Sequence, residues 1–303
     1  MGNNINICIS CDDNYAQYAG VVIASILCNA KSQDSLSFYI LDGGISQDKK
    51  DKILSLKTNR DCLINFVEIN EDDFEDYKTV NTHKYLTLPA FYRLKLPQLL
   101  PDVNRVIYLD CDVIVNSSLS ELFNTNMGEC SIAGVHDIDK KDVRENPTCV
   151  NSGVLVMDLA NMRKYNIQEK FLEWTKNNIA RIKKGDQQII NETLRGKIKI
   201  LDDRWNVQSS NFSNRSSFTQ KPKIVHFVAR KKPWHYASFS YHRDLYFKYL
   251  QLTPWKLSKE DYIHWTKDNQ KDSIKEYLKY RPLFWLRPIF YKAIYLTYFK
   301  SEA

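Results

Sequence analysis

The chain has 303 residues, 43% hydrophobic and 26% charged, with only nine glycines and nine prolines. That length and composition exclude a disordered or fibrous protein and suit one large domain, or one domain with an appendage. The formal charge of +7 points to an anionic partner, and its sign alone leaves nucleic acid, a phosphorylated small molecule and a membrane surface open.

MGNNINICIS opens the chain without the basic segment and long apolar core of a secretory signal. Gly2 and Ser10 also miss the myristoylation spacing. Asn6 to Ser10 reads as the first strand. Cys8 and Cys11 form a C-x-x-C pair, but positions i and i+3 of a strand face opposite sides, and no second close pair completes a zinc site. Both are therefore predicted to be buried small residues. Seven cysteines scattered through apparent strands and helices suit a reducing compartment, with cytoplasmic residence as the default.

Asp12, Asp13 and Asn14 follow the first strand, where Asp and Asn are also good helix caps, and a helical pattern begins after Asn14. Leu36 to Leu41 and Leu63 to Ile69 read as strands, with another helix after Ser46, and RVIYLD from Arg105 is the fourth strand. This βαβ rhythm predicts a mostly parallel sheet that binds ligands beyond the carboxyl ends of its strands.

In VIYLDCDVIVN, Val106 to Asn116, two acids interrupt an apolar run. In an extended chain Asp110 and Asp112 leave on one face about 6.6 Å apart, with Cys111 on the other. Without a cation each raises the other's pKa. Read by themselves, they fit solvated turn residues at the end of the strand better than a site.

SIAGVHD and GVLVMDL read as further strands, with helices around Met162 to Lys176 and Asp186 to Leu194. Lys223 to Phe227 is a strand ending in the basic loop ARKKPW. Neither a Rossmann G-x-G-x-x-G nor a Walker loop occurs, so a phosphate would be held by a metal and side chains.

From about Trp255 the composition shifts. The segment EYLKYRPLFWLRPIFYKAIYLTYFK sets dense aromatics beside Lys279, Arg281, Arg287, Lys292 and Lys300 against one acid, Glu276. No uncharged run reaches the ~18 residues that span a bilayer. A helical segment over 255–303 lying on an anionic membrane surface is expected, the alternative being a helix packed on the domain with its basic groups snorkelling.

SCDDNYAQYAGVVIASI, LDGGIS, FYRLKL, the D-x-D pair, CVNSGVLVMDL, GDQQIIN and VHFVARKKPWH occur in fixed order from about Ile5 to Trp234. Together they resemble the family 8 glycosyltransferases, which include bacterial lipooligosaccharide galactosyltransferases and glucosyltransferases and, more distantly, glycogenin. The resemblance implies a GT-A fold over residues 1–254: an α/β class, with a single Rossmann-like nucleotide-binding domain and a mixed central sheet. It implies transfer of galactose or glucose from a UDP-sugar, with retention of configuration, to a saccharide acceptor.

By the same carry-over, Asp110, Asp112 and His226 resemble ligands of Mn²⁺, with Mg²⁺ the alternative; a hard cation takes carboxylate oxygens and Mn²⁺ tolerates an imidazole. Asp12, Asn14 and Tyr15 match the segment that holds uridine. Lys232 matches a lysine on the diphosphate. Arg93, Asn151, Asp186 and Gln187 match positions that hold the donor sugar, with Cys111 between the acids and Ala229 beside the donor phosphates. Gln187 and Asp186 are the expected catalytic pair.

Two positions depart from the pattern: Gln188 stands where some relatives carry an acid, and Ala229 where relatives commonly carry glycine. A sugar nucleotidyltransferase would show a Gly-rich basic loop after the first strand, and SCDDNYAQ is acidic and glycine-free. A non-catalytic UDP-sugar-binding protein would share nearly all of these residues. No nucleic-acid partner is expected, since the positive charge gathers in the tail and the loop after His226 without a recognised motif. The expected location is the cytoplasm, peripheral on the inner face of the cytoplasmic membrane, with a lipid-linked saccharide of lipopolysaccharide or lipooligosaccharide synthesis as acceptor and other glycans or protein hydroxyls as the alternatives.

Overall fold

The computed structural model describes residues 4–78, 80, 88–209, 221–228, 232–235, 240, 242–258 and 260–261. The expected C-terminal helical segment beyond residue 261 and Ala229 lie outside them. Ten strands are present among the described residues: β1 (Asn4–Asp12), β2 (Ser35–Gly43), β3 (Leu63–Glu68), β4 (Arg105–Leu109), β5 (Val113–Val115), β6 (Ile132–His136), β7 (Val150–Asp158), β8 (Ile198–Ile200), β9 (Val207–Gln208) and β10 (Ile224–His226).

Seven of them form one sheet in the order β3-β2-β1-β4-β7-β6-β8. The pairs β1/β2, β1/β4, β2/β3 and β6/β8 are parallel. β7 runs antiparallel to both its neighbours, so the sheet is mixed. β5, β10 and β9 make a second, three-stranded sheet.

The alternation along β1 shows how the core divides. Ile5, Ile7, Ile9 and Cys11 enter one apolar layer with α1 (Ala16–Asn29), while Cys8 enters the layer on the opposite face. A period of two sends successive side chains to opposite faces, and both cysteines are free and buried, as expected. A third apolar group sits where Val21 of α1, the second sheet and the helix Arg243–Leu250 meet. Trp255 closes this side: an added Cβ at Gly20 of α1 would lie 2.5 Å from its ring, so only glycine admits that approach.

Two sequence expectations change. The helix expected around Met162 to Lys176 is two, Leu159–Lys164 and Ile167–Asn178, broken at Asn166 with φ 50°, a left-handed conformation that Asn tolerates. FYRLKL, for which no element was expected, runs along the end of a 3₁₀ helix, Leu88–Lys95, into Leu96 of the next helix. The run through Asp110 and Asp112 is not one strand: β4 ends at Leu109, β5 starts at Val113, and the acids occupy the turn between the two sheets. Among the described residues no helix is long and apolar enough to cross a membrane.

Candidate active site at the carboxyl edge of the sheet

β1 delivers Asp12 to its carboxyl end, where Asp12 Oδ1 accepts the Tyr15 N–H at 3.0 Å and caps the 3₁₀ turn Asp13–Tyr15. Asn14 is exposed on that turn, and Asp13 is paired with Lys49 at 2.6 Å. Tyr15 stands edge-on to Tyr18 and Trp234, which stack on each other at 3.6 Å and 9°. Burial, and then the Asp112 carboxylate, push the Tyr15 phenol up to about 12. The ring is therefore neutral at physiological pH and offers an aromatic face.

The two acids converge through a turn instead of strand alternation. The Asp110 N–H donates to Gly153 O of β7 at 2.9 Å, and Asp112 O accepts the Phe227 N–H at 2.9 Å. Cys111 turns under, its thiol reaching Ser10 O at 3.2 Å. His226 ends β10 opposite Val113 in antiparallel register. Its Nε2 lies 3.2 Å from Asp112 Oδ1 and 3.9 Å from Asp110 Oδ2.

One ligand atom from each of Asp110, Asp112 and His226 falls within a mutual 4.8 Å. Two carboxylates and an imidazole at that spacing fit a divalent cation such as Mn²⁺ or Mg²⁺. Gly153 makes the approach feasible: an added Cβ would lie 2.2 Å from His226 Cε1 and 2.7 Å from Asp110 Oδ2. Lys232 Nζ donates to Asp112 Oδ2 at 2.5 Å and to Phe227 O at 2.9 Å. Burial would raise the Asp112 carboxyl, but Lys232 and then His226 outweigh it and hold the group well below the usual carboxylate range.

Arg93 is 3% exposed and works as a buried strut. Its guanidinium donates to Asp110 Oδ1 at 2.7 Å, to Ser152 O at 2.6 Å and to Ala90 O at 3.0 Å, and lies over the Tyr108 ring at 4.1 Å. Arg93 Nε is also 3.2 Å from Asp186 Oδ2. Asp186, 2% exposed, has its carboxyl pushed up by burial, with Arg93 pulling the other way.

Gln187 lies on the helix Gly185–Thr193, which Asn191 ties to β7 by bonding both the N–H and the C=O of Val150 at 2.8 Å. Gln187 Oε1 accepts from Asn151 Nδ2 at 3.1 Å and from the Ser152 N–H at 3.2 Å, and its Nε2 donates to Asp137. Gln188 turns away: its Oε1 accepts the Lys183 and Lys184 N–H groups at 2.8 and 3.2 Å. Its amide thus serves the start of the helix.

The structure brings together Asp110, Cys111, Asp112, Arg93, His226, Lys232, Asp186, Gln187 and Asn151, with Asp12, Asn14 and Tyr15 along the same strand edge. Gly153, Asp137 and Asn206 were not anticipated. Gly153 stood two residues from Asn151 in a motif already singled out, and Asp137 ended a strand pattern at the favoured edge; Asn206, in DDRWNV, gave no signal of its own.

A parallel half-sheet with acids at its carboxyl edge, joined by a second sheet that contributes a histidine, is the architecture of the GT-A fold. The galactosyltransferase LgtC, solved in complex with donor and acceptor sugar analogues, has this fold: the two match with a TM-score of 0.73 at 23% identity, covering 84% of this chain and 98% of that one. The profile of Glycosyl transferase family 8 matches residues 6–238, and the chain belongs to that family. It is 29% identical to general stress protein A of Bacillus subtilis over 82% of this chain and 93% of the relative. With a lipopolysaccharide 1,2-glucosyltransferase of Escherichia coli it shares 27% identity over 83% of this chain and 79% of the relative.

Proposed function

We propose that this glycosyltransferase moves galactose or glucose from a UDP-sugar to a saccharide acceptor, with retention of configuration and with Mn²⁺ held by Asp110, Asp112 and His226. The observation that carries the reading is the meeting of three ligand atoms within 4.8 Å, with Lys232 on Asp112 and the Tyr15 ring at the same edge. A divalent cation bound there supplies positive charge against a departing diphosphate.

The chain's own groups divide the remaining work. The Tyr15 face stacks against uracil, while Asp12 and Asn14 read its polar edges. The Lys232 ammonium transfers from Asp112 to a phosphate oxygen. Asp186 and Asn151 hold sugar hydroxyls, with Arg93 keeping Asp186 and Asp110 in register.

Retention by two displacements needs a carboxylate on the face opposite the leaving group. Gln187 is a poor nucleophile, Gln188 accepts the backbone N–H groups of Lys183 and Lys184 just before its helix, and Asp186 is buried beside Arg93. These features favour front-face attack, in which the departing β-phosphate takes the acceptor proton and Gln187 supports the developing positive charge. A sugar trapped covalently on Asp186 would overturn that course.

The name of the Escherichia coli relative favours a lipid-linked saccharide of lipopolysaccharide synthesis as acceptor. The basic, aromatic tail over 255–303 suits an enzyme of the cytoplasm held at the inner face of its membrane. The first test is UDP release from UDP-galactose and UDP-glucose, with and without Mn²⁺, beside Asp110→Ala/Asp112→Ala. Metal-dependent turnover of one donor, lost in the double variant, is expected. Tight donor binding without turnover, even with saccharide acceptors present, would overturn the reading in favour of a sugar-nucleotide-binding protein.

A further inference from the structure

Beneath the site a line of side chains joins two groups that the proposed transfer uses separately. His226 Nδ1 lies 3.1 Å from Asn206 Oδ1. Asn206 Nδ2 donates to Asn151 Oδ1 at 2.9 Å, Asn151 Nδ2 donates to Gln187 Oε1 at 3.1 Å, and Gln187 Nε2 donates to Asp137 Oδ2.

The direction of this line follows from its surroundings. An ionised carboxylate only accepts hydrogen bonds, so Asp137 takes the amide nitrogen of Gln187. The Ser152 N–H donates to Gln187 Oε1 at 3.2 Å, and the Gly153 N–H to Asn151 Oδ1 at 3.1 Å. Turning either amide over would set N–H against N–H. Asn206 must then offer its nitrogen to Asn151 and its oxygen to His226. That leaves Asn206 Oδ1 as the acceptor for an N–H on His226 Nδ1, and Nε2 as the ring atom that faces Asp110 and Asp112.

We propose that Asn206 is a positioning residue for this reaction: it fixes His226 as an Nε2 ligand and, through Asn151, holds the Gln187 amide in place. The inference rests on the transferase reading above. Asn206 is well built for the task. It is 2% exposed and closes the 3₁₀ turn Asp203–Asn206 directly before β9, which pairs in parallel with β10 beside His226. Outer partners of metal-binding histidines set ring orientation and tautomer, and their loss costs about 10–100-fold in metal affinity or activity.

The test uses the full chain with Asn206→Asp and Asn206→Leu. Asn206→Asp keeps an acceptor for His226 but sets a carboxylate against Asn151 Oδ1. It is expected to bind Mn²⁺, measured by electron paramagnetic resonance without donor, within a few-fold of the parent while kcat falls about 10–100-fold at little-changed donor KM. Asn206→Leu is expected to lose a similar factor in Mn²⁺ affinity as well. Combined with Gln187→Ala, the Asn206→Asp effect on kcat should be less than additive.

Unchanged kcat in Asn206→Asp, unchanged Mn²⁺ affinity in Asn206→Leu, or full additivity would overturn the proposal. A nitrogen-15 spectrum of the metal-free parent reads the ring directly: a His226 proton on Nδ1 is expected, and one on Nε2 alone would overturn it whatever the activity assays give. Absence of Mn²⁺ binding or UDP release in the parent itself would instead count against the function proposed above.

Discussion

Gly153 is the residue on which the proposed metal-binding geometry most directly depends, because β7 passes so close under His226 and Asp110 that no side chain fits between them. Gly153→Ala is expected to cost about 1–3 kcal/mol through overpacking and to weaken Mn²⁺ binding at least tenfold; thermal unfolding and a Mn²⁺ titration read the two effects separately. The two acids stood out because charge interrupts an apolar run, while the histidine and Lys232 took their roles only from the family resemblance. Arg93 likewise came only through that resemblance, and Asn206 not at all. An arginine in FYRLKL has the same letters whether it faces water or a buried carboxylate pair, and a lone asparagine in DDRWNV reads as an ordinary turn residue. Their roles come from partners far away in the chain, which no local pattern records.

At the scale of elements, the loop between α1 and β2 is fastened to the turn after β5 by one carboxylate. Asp34 accepts the Lys31 N–H at 2.8 Å, Ser118 Oγ at 2.8 Å and Ser120 Oγ at 2.6 Å. Burial would raise its pKa, but these bonds outweigh it and lower the pKa below the ordinary value. A carboxyl with a depressed folded pKa contributes stability that is complete above its unfolded value of about 3.9 and is lost as pH falls through the folded value. Urea unfolding of the parent should therefore show a loss below pH ~4 that is smaller in Asp34→Asn, and identical acid slopes would exclude this fastening. The long apolar strands β1 to β4, and the order of strands and helices around them, were readable from β-rich runs. The strands β5, β8 and β9 were not, since so few residues carry no period; β10 is as short, but the apolar run KIVHF before a basic loop marked it. The break at Asn166 depends on one backbone angle, which the helical spacing on either side conceals.

For the molecule as a whole, the sheet sets the edge at which the candidate site lies, and Trp255 packs against Gly20 of α1. The proposed membrane contact is tested in the full chain by Arg281→Glu/Arg287→Glu/Lys292→Glu. This variant is expected to lose binding to phosphatidylglycerol vesicles, at about 1 kcal/mol per basic residue removed, and to keep UDP release in solution. Equal flotation of parent and variant would set the tail against the domain instead. The pairing of β5 with β10 joins residues more than 100 positions apart, and it is this pairing that sets His226 against the acids. Such contacts carry a large loop-closure entropy and form late. During synthesis, the β1–β2–β3 segment can fold while the histidine is still unmade, so the nascent chain is inert toward its donor. Activity should return in refolding only after helix and sheet signals have recovered, which makes turnover a reporter of the final closing step.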